Sequence, residues 1–258
     1  MVSVNSQSSR LKKQHGQSMV EFSITLPFLA PLILVLIMLL IQWVFIYKDK
    51  ITLNAATFEA VRAGALNHGN KQKMEDALAQ GMMPLFMVDS GDDPTALDVA
   101  AAYTKSKAYT AIASKITVLN PTSDVFSKFK QRRRYEGGSS VYEIPNDNLM
   151  YRNPKLLTIS SDKKLNIQDA NLLQIEVDWC KRLEVPIANW VIGKILTLTD
   201  VDPDPLSDKF VYFVPNEEQL KCSALGATTS TTGDTRYSGY YITIKSYALI
   251  RMQTPFRM

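Results

Sequence analysis

Histidine and cysteine are scarce: the 258 residues hold two of each, His15 and His68, Cys180 and Cys222. Most metal sites and any histidine-dependent triad need more converging groups than that, so no catalytic residue, cofactor or small-molecule substrate is expected. Excess charge is small as well. Of the formal net charge of +4, three units come from Arg10, Lys12 and Lys13, in a leader without an acid, which leaves +1 for the rest of the chain. A face that grips a phosphate backbone needs a much larger surplus, so a nucleic-acid partner is not expected either. Hydrophobic residues at 46% and charged residues at 21% lie in the globular range and exclude collagen-like and wholly disordered classes.

Charge is also missing from one long run, and there the absence is informative. From Phe22 to Ile46 only Ser23, Thr25, Gln42 and two prolines interrupt an apolar stretch of 25 residues. As a helix it is about 37 Å long, enough to cross roughly 30 Å of hydrocarbon with some tilt. A buried core helix rarely stays uncharged for so long. A secretory signal would have a shorter apolar region and a small-residue cleavage site after it, but Tyr47, Lys48, Asp49 and Lys50 follow here. The cationic leader predicts a cytoplasmic N-terminus, with everything after Lys48 outside and with Trp43 and Tyr47 at the outer headgroups.

Glu21 stands at the mouth of this run, where a carboxylate entering lipid costs a few kcal/mol unless it is paired. Five residues earlier is Gly16, the last residue of the basic leader. Leader, glycine, four residues, glutamate and a long apolar helix together resemble the processing site of type IV prepilins and pseudopilins. The resemblance implies cleavage by a prepilin peptidase between Gly16 and Gln17. It also implies an assembly contact at Glu21 and Phe22, in which the Glu21 carboxylate neutralises the new amine of a neighbouring subunit. Gln17 departs from the apolar first residue usual in that family. An uncleaved signal anchor with a chance Gly and Glu is the plainer alternative.

Three stretches narrow the resemblance: GQSMVEF with the Leu26-Pro27 step, NAATFEAVRAGA after the span, and NIQDANLLQIEVDW with YALIRMQTP near the C-terminus. Together they are similar to the TadE-like family, minor pseudopilins of the Tad (tight adherence), or Flp, type IVb pilus system. This implies a single-pass inner-membrane protein whose partners are the peptidase, other Tad pilins and pseudopilins, the inner-membrane assembly platform and membrane lipid. The implied layout is a leader over 1–16, a membrane helix over 17–48 and a periplasmic domain over 49–258. A membrane-anchored periplasmic enzyme or sensor with a pilin-like signal anchor is the competing class. It would need a chemical constellation that the sequence does not display.

Beyond the span, Ile51, Ala55, Phe58, Val61 and Ala65 recur at helical steps and predict a packing face that ends at Asn67-His68-Gly69-Asn70. His68 reads as a polar residue near a helix C-terminus. A short helix over Lys71 to Gly81 follows, then a longer one from Asp93 as cap, with Pro94 in its first turn, to about Lys115. Leu173, Ile175, Val177 and Trp179 alternate with polar residues, as do Ile242, Ile244, Ser246, Ala248 and Ile250, predicting half-buried strands of one sheet. Ile116 to Leu119 is a third strand candidate, and Val185 to Thr197 reads as a connecting helix. The expected fold class is α+β: a transmembrane helix extending into a pilin-like domain whose helices pack on a small antiparallel sheet.

Three features invite overreading. Lys128, Lys130, Arg132, Arg133 and Arg134 precede Gly137-Gly138-Ser139-Ser140 and read as a solvated loop. Asp200, Asp202, Asp204 and Asp208 have alternate spacing, but Pro203, Pro205 and Val211 break the calcium-loop pattern. They make a weak calcium candidate and a better aspartate-proline turn, so no metal is assigned. Thr228 to Thr232, between Gly226 and Gly233, reads as low-complexity loop. Cys180 and Cys222 both fall on the predicted periplasmic side, an oxidising compartment, and are expected to form a disulfide, two unpaired core thiols being the alternative.

Overall fold

The computed structural model describes residues 17–87, 95–135, 138, 140–160, 163–197, 217–231 and 239–258. One helix, α1 (Gln17–Leu66), runs unbroken for 50 residues, so the apolar run and the NAATFEAVRAGA segment form one rod. In its apolar run the hydroxyls are satisfied within the helix: Ser23 donates to the Met19 carbonyl at 2.9 Å and Thr25 to the Glu21 carbonyl at 2.9 Å. The helix stops where expected. His68 and Gly69 both take positive φ, 57° and 79°, and the Gly69 N–H closes back onto the Gly64 carbonyl at 2.8 Å. A Cβ at position 69 would also stand 2.3 Å from the Phe256 ring, so glycine is required there for space as well as for conformation.

Asn70 caps α2 (Lys71–Met82) by accepting the N–H groups of Gln72 and Lys73. The α1 face that meets α2 and the sheet is only partly the expected one: Val61 and Ala65 are on it, the other three are not. Leu53, Ala56, Thr57, Ala60, Val61, Gly64 and Ala65 are buried, whereas Ile51, Ala55 and Phe58 are exposed. The reason is close approach: Ala56, Ala60 and Gly64 recur every fourth residue and let another backbone come near. At Gly81 of α2 an added Cβ would lie 2.6 Å from the Ala56 Cβ and 2.7 Å from its Cα. Gly81→Ala is therefore expected to lower stability by about 1–3 kcal/mol by overpacking, although alanine is the better helix former. Urea unfolding checks this, and an unchanged midpoint would refute the close-approach argument.

A 3-10 turn (Met83–Phe86) follows α2, and after it comes α3 (Ala96–Ala113). Its cap is Thr95, whose hydroxyl accepts the Asp98 N–H while Asp98 accepts the Thr95 N–H. The expected cap Asp93 and its Pro94 lie outside the described residues. The helix ends before Lys115 because Ser114 and Lys115 already belong to β1 (Ser114–Asn120), paired with Trp179 and Asp178. The main sheet is antiparallel, in the order β1, β6 (Leu172–Arg182), β7 (Tyr241–Arg251). Leu173, Ile175, Val177 and Trp179 are all buried on one face of the central strand, as the alternation requires. Phe86, Tyr109 and Trp179 cluster there in tilted and edge-to-face contacts, with Tyr109–Trp179 ring centroids 5.1 Å apart.

Between β1 and β6 lie α4 (Ser123–Phe129), a hairpin of β2 (Gln131–Arg134) and β3 (Ser140–Glu143), a short ladder of β4 (Leu157–Thr158) with β5 (Lys164–Leu165), and α5 (Ile167–Ala170). The basic run is thus not a loop: Lys128 belongs to α4, Lys130 caps its end, and Arg132, Arg133 and Arg134 lie in the exposed strand β2. Backbone pairing to β3 holds it, helped by Arg132 donating to the Ser140 hydroxyl at 3.0 Å and by Arg133 lying 3.8 Å from Glu143. After β6 come α6 (Ala188–Thr197) and α7 (Glu217–Thr231). Because α7 continues to Thr231, residues Thr228 to Thr231 are helical and not loop; Thr232 and Gly233 lie outside the described residues. The C-terminal segment returns to the end of α1, where the Ala65 carbonyl accepts from the Gln253 and Thr254 N–H groups and from the Thr254 hydroxyl. His68 Nδ1 lies 2.8 Å from the Pro255 carbonyl.

Candidate functional site

From Met19 to Leu34 every residue of α1 is exposed. From Phe22 to Leu34 this exposed surface carries no charge on any side over about 20 Å, which requires a nonpolar surrounding, and the helix fits a single-pass membrane anchor by length and composition. Gln17 begins the helix and Glu21 follows one turn later on the exposed surface, beside the exposed Phe22. Gly16 lies outside the described residues, as do Asp200, Asp202, Asp204 and Asp208. Among the described residues no group of three or more His, Cys, Asp or Glu is arranged to hold a metal ion.

The folded domain grips α1 earlier than the layout with a boundary at 48/49 implies. Val35, Met38, Leu39, Gln42, Ile46 and Asp49 form a half-buried to buried stripe at helical spacing. Gln42 is fully buried, and its Oε1 accepts the N–H groups of Glu184 at 3.1 Å and Val185 at 2.9 Å. Two turns on, the buried Asp49 carboxylate lies 2.8 Å from the Lys181 ammonium, which also reaches Glu184 at 2.8 Å. Burial pushes the Asp49 carboxyl up, and the opposing pull of Lys181 and, more weakly, of Lys48 does not cancel it. Burial pulls Lys181 down, but hydrogen bonds to two carboxylates outweigh it and the net shift is upward. Lys50 donates to the Lys245 carbonyl on β7. Gln42 was visible in the sequence only as a polar break in an apolar run, a signal that calls for a partner wherever lipid is the alternative.

Beside the Asp49–Lys181 pair is a cleft of about 270 Å³ whose lining includes Phe86, Tyr109, Trp179 and Tyr241, with no Ser, Cys or His among the described residues that line it. The expected disulfide is present: Cys180 of β6 is bonded to Cys222, with the Cα atoms 5.4 Å apart. Cys222 belongs to α7, a helix the sequence pattern did not indicate, so the bridge staples that helix to the sheet. Nearby, the Gln219 side chain donates to the Tyr241 carbonyl and accepts the Thr243 N–H, both at 2.8 Å. Its amide thereby occupies backbone groups of the edge strand β7.

Comparison with protein-family models, with curated proteins and with solved structures gave no match.

Proposed function

We propose that this chain is a minor pseudopilin of the TadE-like kind, which supports assembly of a Tad/Flp type IVb pilus and is not an enzyme. In this reading a prepilin peptidase cuts after Gly16, the leader stays in the cytoplasm, and α1 holds the mature subunit in the bacterial inner membrane with a pilin-like domain in the periplasm. The observation that carries it is the Gly16-to-Glu21 spacing directly ahead of a helix that is apolar all round and continues unbroken into an α+β domain. The arrangement suits a subunit that packs laterally in lipid through its helix while its domain meets neighbours and the assembly platform. Intact-mass measurement on membrane-extracted protein from cells that contain the peptidase is the test. A chain beginning at Gln17 is expected, and finding only chains that begin near Met1 would overturn the reading.

A further inference from the structure

We propose that α6 is a second membrane contact, an interfacial helix whose Trp190 and Ile195, with Ile187 just before it, enter the boundary of the same bilayer that α1 crosses, on the side of the folded domain. The inference rests on the reading of α1 as a membrane anchor. From Phe22, a hydrocarbon layer of about 30 Å takes up roughly 20 helical residues and ends near Ile41, and tilt moves that end only toward Ile46. Gln42 stands at this level, and it holds the backbone of Glu184 and Val185. α6 begins three residues after Val185 and packs on α1. Its ten residues span about 15 Å from that starting point.

The side chains of α6 are arranged in the reverse of a soluble surface helix. Its small residues face the protein: Ala188 is buried, and a Cβ at Gly193 would stand 2.1 Å from the Tyr240 ring. Trp190 and Ile195 are each 55% exposed and Ile187, the residue before the helix, 44%, whereas Val191 and Ile192 are half-buried. Lys194 is the only charged residue in the helix. Trp43 and Val44 are exposed on α1 next to Gln42, so both helices present apolar side chains near this level. Tryptophan is favoured where hydrocarbon meets headgroups, and a helix with one apolar face lies in that plane. A bilayer is therefore the occupant that this face and its position both match.

The chain has three tryptophans, Trp43, Trp179 and Trp190, and Trp179 is in the core with 2% exposure. The full chain is placed in nanodiscs of phosphatidylcholine and phosphatidylglycerol, with and without lipids brominated near the headgroup end of their acyl chains. Trp43→Phe leaves Trp179 and Trp190 as emitters, so bromination is expected to remove up to about half of the emission, the share of an interfacial tryptophan. In the double variant Trp43→Phe with Trp190→Phe the loss should vanish. Both are aromatic replacements at exposed positions, and the remaining Trp179 emission reports that the core is intact. If Trp43→Phe is not quenched while Trp190→Phe is, α1 is in the bilayer but α6 faces water or another protein copy, and the proposal is overturned. If neither single variant is quenched, the anchor reading fails and takes the proposal with it.

Discussion

Glu21→Ala is expected to leave the chain in the membrane and to reduce pilus assembly at least about tenfold, the equivalent of a loss near 1.4 kcal/mol at each subunit joint. Insertion should not suffer, because a carboxylate at the mouth of an apolar helix costs a few kcal/mol in lipid and its removal favours the membrane. Assembly should suffer because Glu21 lies on the exposed surface of α1, one turn beyond Gln17, where a laterally packed subunit can approach. Under the proposed function the partner is the amine that cleavage creates at Gln17 of that neighbour. Without the carboxylate, the amine is left in a low-dielectric setting with no counter-charge, which is the costly half of breaking a buried pair. Membrane fractionation and counts of surface filaments read the two effects separately. Glu21→Asp, which keeps the charge, should recover part of the assembly. Wild-type filament numbers in Glu21→Ala would make the residue a bystander and remove the pairing argument.

Loss of the Cys180–Cys222 bridge is expected to have the largest effect on stability. The cysteines are separated by 42 residues. On the chain-entropy account, closing a loop of this size stabilises the fold by about 4 kcal/mol. For a domain of this size that corresponds to a thermal midpoint lower by roughly 8–16 °C in Cys222→Ser or under reductant. Other ties of α7 include Gln219 against β7 and the ion pair of exposed Lys115 with half-buried Glu218, whose oxygen and nitrogen are 2.5 Å apart. The helix should therefore release first and uncover the edge of β7, an open ladder of backbone groups. Thermal circular dichroism of detergent-extracted protein, with and without reductant, gives the midpoints, and proteolysis in α7 reports the local release. Equal midpoints would count against the bridge as a stabilising element. Two alkylatable thiols in native, non-reduced protein would refute its existence.

Features set by neighbouring residues were legible in the sequence. A run of 25 residues without charge can be read from length alone, and the stop at His68-Gly69 from the backbone freedom that a left-handed conformation requires. The strands β6 and β7 were legible because a period of two separates a buried face from a wet one. Pairing of the two cysteines followed from the compartment that the span and its flanking charges predict.

What sequence could not decide were the matters that depend on residues far away in the chain. The packing face of α1 is one of them: alanines lie on every side of the helix from Asn54 to Ala65, so its own pattern is nearly uniform and the positions of α2 and the sheet choose the buried side. The strand Gln131–Arg134 is exposed throughout, has no apolar alternation, and exists because Ser140–Glu143 pairs with it. Gln42 and Asp49 read as a blemish and a flank until residues 142 and 143 positions beyond Gln42, and Lys181, meet them. Local periodicity and backbone conformation are written in adjacent residues, whereas the partner of a buried polar group and the face of a small-residue helix are set only when distant segments compete for the same surface.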